Sequence, residues 1–563
     1  MAEPMGFYTD TTVCIGCKAC EVACKEWNQL PAENGGVREL SGESYDNTRR
    51  LDGIHWRHVK FLEQFSEDRS AGRWLMMSDV CKHCAQAGCL EVCPTNAIIR
   101  TEFDTVVIQS DVCNGCRDCI GACPFGVIDI NPASGTAQKC TLCYDRLQAG
   151  MEPACSKACP TDSIQFGLIH ELRQRAQQRV QQLHERGERQ AYLYGADEQI
   201  LGASTLSISW SMSPRCTAYR ASHSCRHVTC SAAHSFRHSG RWCWGCSAWS
   251  ACASAAWMRS RGSGGWASNR RGGAMSDTFF TAPPHWHWLI IGYFFIGGIA
   301  GGSYFIAALL DLFGAPRDRP VARLGYYVAL VGIVASAALL IVDLQRPERF
   351  WHMLIQSERG WPMSIGSWGI TLFGLFAFLS ALGAIAEEGW VRWAPLRRLH
   401  GGILGAIIPI LGGVLAFFVA GYTGVLLSVT NRPIWADTNL LGVLFLFSGA
   451  STAAAALILL GRWRAAGPDV VHWLSRLDST ALVLELLALI ALVMSLGAVA
   501  RAWLNTWGAL LVVGVLLVGI LLPLAFHLRP RLLGHLSVPV GAALSLVGGF
   551  LLCVVIVLSS EGV

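Results

Sequence analysis

Sixteen of the 23 cysteines in this chain of 563 residues lie before residue 160, and they fall into four groups of four. Two groups have the spacing C-x2-C-x2-C-x3-C, one has C-x2-C-x4-C-x3-C and one has C-x2-C-x11-C-x3-C. In chain order, groups one to four are Cys14, Cys17, Cys20 and Cys24; Cys81, Cys84, Cys89 and Cys93; Cys113, Cys116, Cys119 and Cys123; and Cys140, Cys143, Cys155 and Cys159. Thiols at this density and regularity indicate short loops wrapped around bound inorganic centres.

The spacing favours [4Fe–4S] clusters over the other structures that cysteines build. Three closely spaced thiolates bind one cluster, and the fourth, just beyond them, ligates the neighbouring cluster. Proline follows Cys93, Cys123 and Cys159, as in the bacterial ferredoxin pattern, whereas lysine follows Cys24. Structural zinc favours pairs of cysteines, and a disulfide framework does not need regular triplets. The sequence therefore predicts four [4Fe–4S] clusters, with ligands exchanged between groups one and four and between groups two and three.

The last part of the chain is apolar. From Met275 onward there is no lysine, and eight runs are long enough to cross a bilayer. The runs are 288–312, 322–343, 367–386, 402–429, 439–460, 479–499, 506–526 and 537–558. Residues 275–563 are therefore predicted to form an all-α membrane bundle of about eight helices.

Arginine counts predict the orientation of this bundle. The loops that follow odd-numbered spans hold eleven arginines, and the loops that follow even-numbered spans hold five. Positive residues favour the cytoplasmic side, so both ends of the bundle and the cysteine-rich domain are expected on the outer face. The first residues, MAEPMGFYTD, do not resemble a signal peptide, which suggests export in the folded state with a partner that carries a twin-arginine signal.

Polar residues in or beside the spans indicate a site for a quinone and its protons, because such residues are rare in membranes without a function. The candidates for quinone binding are His285, His287, Asp343, Arg346 and Tyr422, with Arg432 close to the last of these. Glu485, inside the sixth span, is a candidate for a proton path. Interfacial anchoring, helix capping or pairing of a structural acid are the alternatives. The histidines lie at span ends or in loops, so no haem is expected.

The cysteine groups lie in segments that resemble a known family. CIGCKACEVACKEWN, CKHCAQAGCLEVCPTNAI, CNGCRDCIGACPFGVI and CTLCYDRLQAGMEPACSKACPTDSIQFG are similar to the four-cluster electron-transfer subunit of molybdopterin oxidoreductases. Residues 6 to about 202 resemble most the beta subunit of membrane-bound formate dehydrogenase. The resemblance implies an α+β ferredoxin-like domain over residues 1–202 and a separate catalytic subunit that carries a molybdenum or tungsten pterin.

The membrane part resembles a second family. YFFIGGIAGGSYFIAALLDLFG, DLQRPERFWHMLIQSERGWPMSIGSWG and GYTGVLLSVTNRPIW are similar to the polysulfide-reductase type of membrane subunit. This resemblance implies a haem-free bundle that binds quinone near the iron–sulfur face. Among the site residues of that family, Tyr422 carries over, and the histidine before the first span is either His285 or His287.

Residues 203–274 fit neither domain, because they are rich in Ser, Arg, Cys, Trp and His without aliphatic periodicity. A zinc site has only Cys243 and Cys246 as a close pair, and a disordered linker rarely contains so much tryptophan. A frame shifted by one base near Gly202 is the third interpretation. With permitted codons, residues 234–251 become FLPALWPLVLGLLGLVGL, which is long enough for a membrane anchor. The segment is therefore expected to be out of frame or a disordered linker between two joined subunits.

Together with these patterns, the two resemblances imply a non-catalytic electron-transfer and anchor component of an oxidoreductase complex, with formate as the best candidate substrate of the catalytic partner. One alternative is a polysulfide, thiosulfate or sulfoxide reductase with reversed electron flow. A second is a membrane anchor that binds no quinone. The formal net charge of +5 is small for this length and gives no indication of nucleic-acid binding, so membrane lipid and the quinone pool are the expected partners.

Overall fold

A computed structural model describes most of the two predicted domains. The described residues are 3–32, 46, 50–65, 72–189, 191–194, 205–209, 282–355, 362–389, 402–463, 467–529 and 533–561. Only residues 205–209 of the segment 203–274 lie within these ranges. The rest of the segment, which was predicted to be out of frame or a linker, lies outside the described residues.

The cysteine-rich domain is built on small sheets. Its strands are β1 Met5–Asp10, β2 Arg57–Phe65, β3 Gly72–Val80, β4 Ile98–Arg100, β5 Val106–Ile108, β6 Asp129–Asn131, β7 Thr136–Gln138, β8 Ile164–Leu168, β9 Tyr192–Tyr194 and β10 Thr205–Ser209. One sheet has the order β8-β1-β10-β9, in which β1 runs antiparallel to β8 and parallel to β10. The strand pairs β2–β3, β4–β5 and β6–β7 form antiparallel hairpins. Strand β10 thus extends the domain beyond its predicted end at residue 202.

Short helices carry many of the cysteines. They are α1 Ala19–Trp27, α2 Gly88–Glu91, α3 Asp118–Ala122, α4 Tyr144–Gln148 and α5 Ala154–Lys157, followed by the longer α6 Ile169–Glu185. Two cysteines of group one, Cys20 and Cys24, are four residues apart on α1, so they lie on one face of the helix and are both buried. The buried core of this domain is formed by the cysteines together with aliphatic side chains.

Within the described residues, eight helices are long and apolar enough to cross a membrane. Spans one to eight are Trp288–Phe313, Arg319–Asp343, Pro362–Glu387, Gly402–Ser428, Leu441–Trp463, Pro468–Leu496, Thr506–Leu528 and Ser537–Glu561. The predicted fold class, an α+β ferredoxin-like domain followed by an eight-helix membrane bundle, is confirmed. Span seven changes to π-helical hydrogen bonding over Leu511–Leu521.

Span six begins eleven residues before the predicted 479, at Pro468. Proline is favoured in the first turn of a helix, where its missing N–H is not needed. The difference matters because Asp478, which the predicted boundary leaves outside the span, lies within the helix and is fully buried.

Span one lies at the centre of the bundle, and glycines allow its neighbours to approach. A Cβ atom at Gly302 would lie 2.5 Å from the carbonyl oxygen of Gly449 in span five, and one at Gly301 would lie 2.7 Å from that of Ala416 in span four. Small residues allow such close backbone contact between membrane helices. Packing against both neighbours therefore depends on the GG pair of span one.

Candidate electron-transfer site

Three cavities in the described part of the chain are lined by thiols of groups one to three and, in one case, by a thiol of group four. Each cavity is lined by four cysteines. The sets are Cys14, Cys17, Cys20 and Cys159; Cys93, Cys113, Cys116 and Cys119; and Cys81, Cys84, Cys89 and Cys123. We call the set that contains Cys14 set A, the set that contains Cys81 set B and the set that contains Cys93 set C. In each set three thiols come from one group and the fourth from another group.

The remaining four cysteines form a further set, which we call set D. Burial raises the pKa of Cys24, and the charges of Cys140, Cys155 and Cys143 raise it further, so the other three cysteines lie within electrostatic reach of Cys24. Sets A and D exchange cysteines of groups one and four, and sets B and C exchange cysteines of groups two and three. This is the geometry that ligand exchange between paired clusters requires.

The donor set fits iron–sulfur clusters better than single ions. No three His, Cys, Asp or Glu side chains of the described residues close around one metal ion, and the thiols surround cavities instead. Backbone N–H groups point at the first thiol of three groups: His83 N–H at Cys81, Gly115 N–H at Cys113 and Leu142 N–H at Cys140, over 3.3–3.5 Å. Such hydrogen bonds stabilise thiolates that ligate a cluster.

Burial disfavours free thiolates in these sets. It raises the pKa of Cys84 to about 12, with the charges of Cys81 and Cys123 as smaller causes. Metal ligation requires the thiolate form. A thiol of this kind therefore needs a strong cationic partner to be deprotonated at neutral pH, and an iron cluster supplies one.

Set C faces the membrane domain through a buried ion pair. Arg117, which lies between Cys116 and Cys119, donates to the carboxylate of Asp343 at the end of span two. It also donates to the backbone carbonyl of His285 over 2.7 Å. The two charged side chains are only 7% and 12% exposed, so the pair is largely shielded from solvent.

Three residues of the segment after span two make further contacts with the loop that carries group three and with the turn between β6 and β7. Arg346 donates from its backbone N–H to the carbonyl of Asn114 over 3.1 Å and from Nε to that of Ser134 over 2.6 Å. Arg349 donates to the carbonyls of Ser110 and Cys113 over 2.6 and 2.9 Å. The Nδ1 atom of His352 lies 2.9 Å from the carbonyl oxygen of Val112.

A third segment of the membrane domain binds the other end of this loop. Asn431, after span four, donates from its backbone to Gly121 over 3.1 Å and from Nδ2 to Ala122 over 2.8 Å. Gly115 is required at the centre of the contact, because its φ is +71° and a Cβ there would lie 2.6 Å from Cβ of Gln345. Set C is therefore held directly on the side of the bundle formed by the first residues and the even-numbered loops.

The predicted quinone residues divide between this interface and the bundle. Asp343 and Arg346 make the interface bonds described above. His285 is half-buried, and burial lowers its pKa while the charge of Asp129 opposes the shift. His287 is exposed, and its ring centre lies 6.1 Å from that of His285. Tyr422 is buried in span four, donates to the carbonyl of Pro362 and stacks on Phe418.

Asp118 joins the two parts of the site and was not predicted from the sequence. It is buried next to Cys119, and burial raises its pKa to about 7. Its Oδ2 atom has no hydrogen-bond partner among the described residues, and its carboxyl group interacts electrostatically with the hydroxyl of Tyr422. The acid flanked by cysteines in CNGCRDC is the signal that could have identified it.

Comparison with known proteins decides the family of the membrane domain. The polysulphide reductase NrfD family matches residues 277–561, slightly more than half of the chain. The chain belongs to the NrfD family. Two 4Fe-4S dicluster domain families match residues 13–97 and 72–169, which lie in the cysteine-rich domain that precedes the NrfD domain.

Curated relatives match the domain that precedes the NrfD domain. The formate dehydrogenase iron-sulfur subunit of Haemophilus influenzae is 44% identical over 186 residues, which are 33% of this chain and 58% of that protein. The formate dehydrogenase-O iron-sulfur subunit of Escherichia coli is 42% identical over 196 residues, 34% of this chain and 62% of that protein. One subunit of the anaerobic dimethyl sulfoxide reductase of Escherichia coli is 36% identical over 177 residues, 31% of this chain and 78% of that protein. The chain thus spans less than two thirds of the formate dehydrogenase subunits.

The chain is therefore an iron–sulfur protein, similar to subunits of formate dehydrogenase and dimethyl sulfoxide reductase, that continues into a multi-pass NrfD membrane domain. The resemblances predicted for both domains are confirmed.

A line of buried polar groups runs through the second half of the NrfD domain. Asp478 accepts hydrogen bonds from Ser451 over 2.6 Å and from Ser545 over 3.3 Å. The Nδ1 atom of His527 lies 3.4 Å from Oδ2 of Asp478, and both side chains are fully buried. Glu485, seven residues further along span six, is 3% exposed and interacts with Asp478. The two acids therefore share one face of the helix.

Arg432 has a structural role in the NrfD domain. Its side chain is 1% exposed and donates to the backbone carbonyl of Ser560 near the end of span eight. This bond fixes the end of span eight to the loop after span four, on the same side as set C.

We expect Asp343→Ala to weaken the contact between the iron–sulfur domain and the NrfD domain. Removing one partner of a buried ion pair leaves the other charge unpaired and costs about 3 kcal/mol or more. The opening free energy of residues 112–121, measured by hydrogen–deuterium exchange on the intact chain, is expected to fall by this amount. The control is Arg317→Ala, because the pair of Arg317 with Asp469 is 70% exposed on both sides and is worth at most about 1 kcal/mol. Equal exchange in the two variants would contradict a role for the Arg117–Asp343 pair in docking.

Proposed function

We propose that this chain relays electrons between a separate catalytic subunit and the membrane quinone pool. The observation that carries the proposal is the contact of set C with the NrfD domain through Arg117 and Asp343. A cluster held by this set would be the last of the relay, next to the membrane face on which quinone arrives. The thiol of Cys17 in set A is exposed. This exposure supports set A as the other end of the relay, where electrons are exchanged with the catalytic subunit.

Four [4Fe–4S] clusters are proposed for sets A to D, and each bound cluster supplies reversible one-electron transfer. The chain holds the thiols in a sequence of neighbours. The charge of Cys155 in set D acts on Cys20 of set A, and the charge of Cys81 in set B acts on Cys140 of set D. Sets B and C are paired because each takes its fourth cysteine from the group that supplies the other set. The proposed order of electron transfer is therefore A, D, B and C, or the reverse.

Quinone is proposed to bind between Tyr422 and set C. The hydroxyl of Tyr422 can donate to a quinone carbonyl oxygen in place of its bond to Pro362, and the carboxyl group of Asp118, which is adjacent to Cys119, interacts electrostatically with this tyrosine. His285 and His287 precede span one on the same side of the bundle and are proposed to help bind the quinone. For Asp343 and Arg346, the interface bonds support docking of the iron–sulfur domain rather than direct contact with quinone.

The catalytic partner is proposed to be a molybdenum or tungsten pterin subunit that oxidises formate, on the outer face of the membrane. The similarity to formate dehydrogenase iron-sulfur subunits supports formate. The arginine counts support the outer face, because set C lies on the side of the even-numbered, arginine-poor loops. Reduction of a sulfoxide with reversed electron flow is the second candidate, supported by the similarity to the dimethyl sulfoxide reductase subunit. Formate-driven reduction of quinone and quinol-driven reduction of a sulfoxide by the isolated complex distinguish the two.

We expect Tyr422→Phe to lower quinone turnover of the isolated complex at least tenfold, because the proposed hydrogen bond to the substrate is lost. Reduction of the clusters by the catalytic partner, followed by electron paramagnetic resonance, is expected to be unchanged. The matched control is Tyr304→Phe, since Tyr304 is also buried in the NrfD domain and donates to a backbone carbonyl, of Ile408, but lies in a different part of the bundle.

Wild-type turnover in Tyr422→Phe would instead favour the alternative of a membrane anchor that binds no quinone at this place. Loss of turnover in both tyrosine variants would indicate a general effect of removing a buried hydroxyl and would count equally against a quinone site at Tyr422.

Protons for quinone reduction are proposed to enter from the membrane side opposite set C. Asp478 lies ten residues into span six, which is about 15 Å from the helix start at Pro468, and Glu485 follows in the direction of set C. His527 and Ser545 contact Asp478, so this acid has neighbours with which it can exchange a proton. A purely structural acid pair remains the alternative for Glu485.

We expect Glu485→Gln and Asp478→Asn to slow proton uptake and quinone reduction together, by about tenfold, in vesicles that contain the complex. A pH-sensitive dye on the side opposite set C measures the uptake. Asp469→Asn serves as the control, because Asp469 is an exposed acid at the start of the same span. Unchanged uptake in both buried-acid variants would assign these acids a structural role.

For residues 203–274 we propose that the segment binds no metal and that the two domains are encoded as two adjacent, overlapping genes. Under this proposal the native material consists of two polypeptides, the second starting at Met275, and mass spectrometry of the complex purified from its source is expected to detect both. A single polypeptide with the tryptic peptides of 203–274 as written would establish a genuine fusion and contradict the shifted frame.

A further inference from the structure

Lys139 is a buried lysine at the junction of two cysteine sets. It directly precedes Cys140 of set D and is 2% exposed. Its side chain also lines the cavity of set B. The ammonium group donates to the carbonyl of Val106 and, over 3.1 Å, to that of Cys140. The residue therefore touches both sets at the point where the two ligand-exchanged pairs meet.

Thiols, not carboxylates, surround this charge. Within the described residues no carboxylate forms an ion pair with Lys139, and the groups that act electrostatically on it are Cys81, Cys89 and Cys140. Lys82 is a useful contrast, because it is also buried but is paired with the carboxylate of Asp79 at 2.9 Å. A buried ammonium without a counter-charge is strongly unfavourable. The charge of Lys139 is thus matched only by what sets B and D hold.

We propose that Lys139 is a positioning residue whose fixed positive charge, shared by the clusters of sets B and D, raises the reduction potentials of both. The inference rests on the four-cluster relay of the proposed function. Reduction adds one negative charge to a cluster, and a nearby cation in a medium of low dielectric constant stabilises the reduced form more than the oxidised form. Because it lies between two clusters, the same charge also reduces their mutual repulsion when an electron passes from one to the other.

The test is a redox titration of the complete complex, followed by electron paramagnetic resonance, with soluble mediators in place of formate and quinone. In Lys139→Gln the amide can still donate to the backbone carbonyls, but the charge is gone. We expect two of the four cluster potentials to move to lower values and the other two to stay in place, with unchanged iron content. Lys139→Arg keeps the charge and is expected to retain the wild-type potentials. Lys157→Gln, at an exposed lysine of the same domain, is the control for loss of one charge.

Each outcome decides the proposal. Unchanged potentials in a fully loaded Lys139→Gln protein would overturn it, and so would an equal shift of all four potentials. If Lys139→Gln fails to retain its clusters while Lys139→Arg retains them, the charge serves assembly and the proposal is also overturned. Because the titration requires neither quinone nor substrate, its result is independent of the quinone site and of the partner's reaction. Absence of four clusters in the wild-type complex would instead be a failure of the proposed relay.

Discussion

The ion pair between Arg117 and Asp343 is the contact on which the rest of the arrangement depends. Arg117 adopts a left-handed backbone conformation, with φ of 68°, and so turns the chain between Cys116 and Cys119. The same residue reaches across to the end of span two. One side chain therefore couples the folding of a cysteine loop to its place on the membrane domain. A cluster in set C would stiffen this loop further, since three of its ligands come from group three.

Buried charge is managed differently on the two sides of this interface. In the iron–sulfur domain the buried cations Arg57 and Lys139 lie among thiols, and the sets of cysteines supply their counter-charges. In the NrfD domain Asp478 accepts hydrogen bonds from two serine hydroxyls and lies beside a histidine. A charge inside a membrane domain is costly unless a partner or a transferable proton offsets it. The first environment is suited to fixed charge beside electron carriers, and the second to groups that gain and lose protons.

Local chemistry made the cysteine groups and the spans predictable from the sequence. The spacing of Cys113, Cys116 and Cys119 is set by a few residues of loop, and the length of a span by the thickness of a bilayer. The interface was not predictable in the same way, because Arg117 and Asp343 are 226 positions apart. Asp343 and Arg346 stand out in the sequence as polar residues beside a span, but their partners are decided by docking.

The acids of span six show a second limit of sequence patterns. Glu485 stands out in an apolar run, whereas the polar residues around Arg476 suggest a loop and so conceal Asp478. In the structure the helix extends back to Pro468, and the seven-residue spacing brings both acids to one face.

The cysteine sets and the buried polar groups of the NrfD domain begin on opposite sides of the bundle, and this constrains the proposed chemistry. Set C ends the line of cysteines on the side of the even-numbered loops, whereas the polar line begins with His527 and Asp478 towards the odd-numbered loops. Reduction of a quinone to quinol consumes two electrons and two protons. If the proposed site near Tyr422 receives electrons from set C and protons along span six, charges of opposite sign move towards each other across the membrane. Quinone turnover would then contribute to the membrane potential with no need for a conformational pump, because the separate entry of electrons and protons is sufficient.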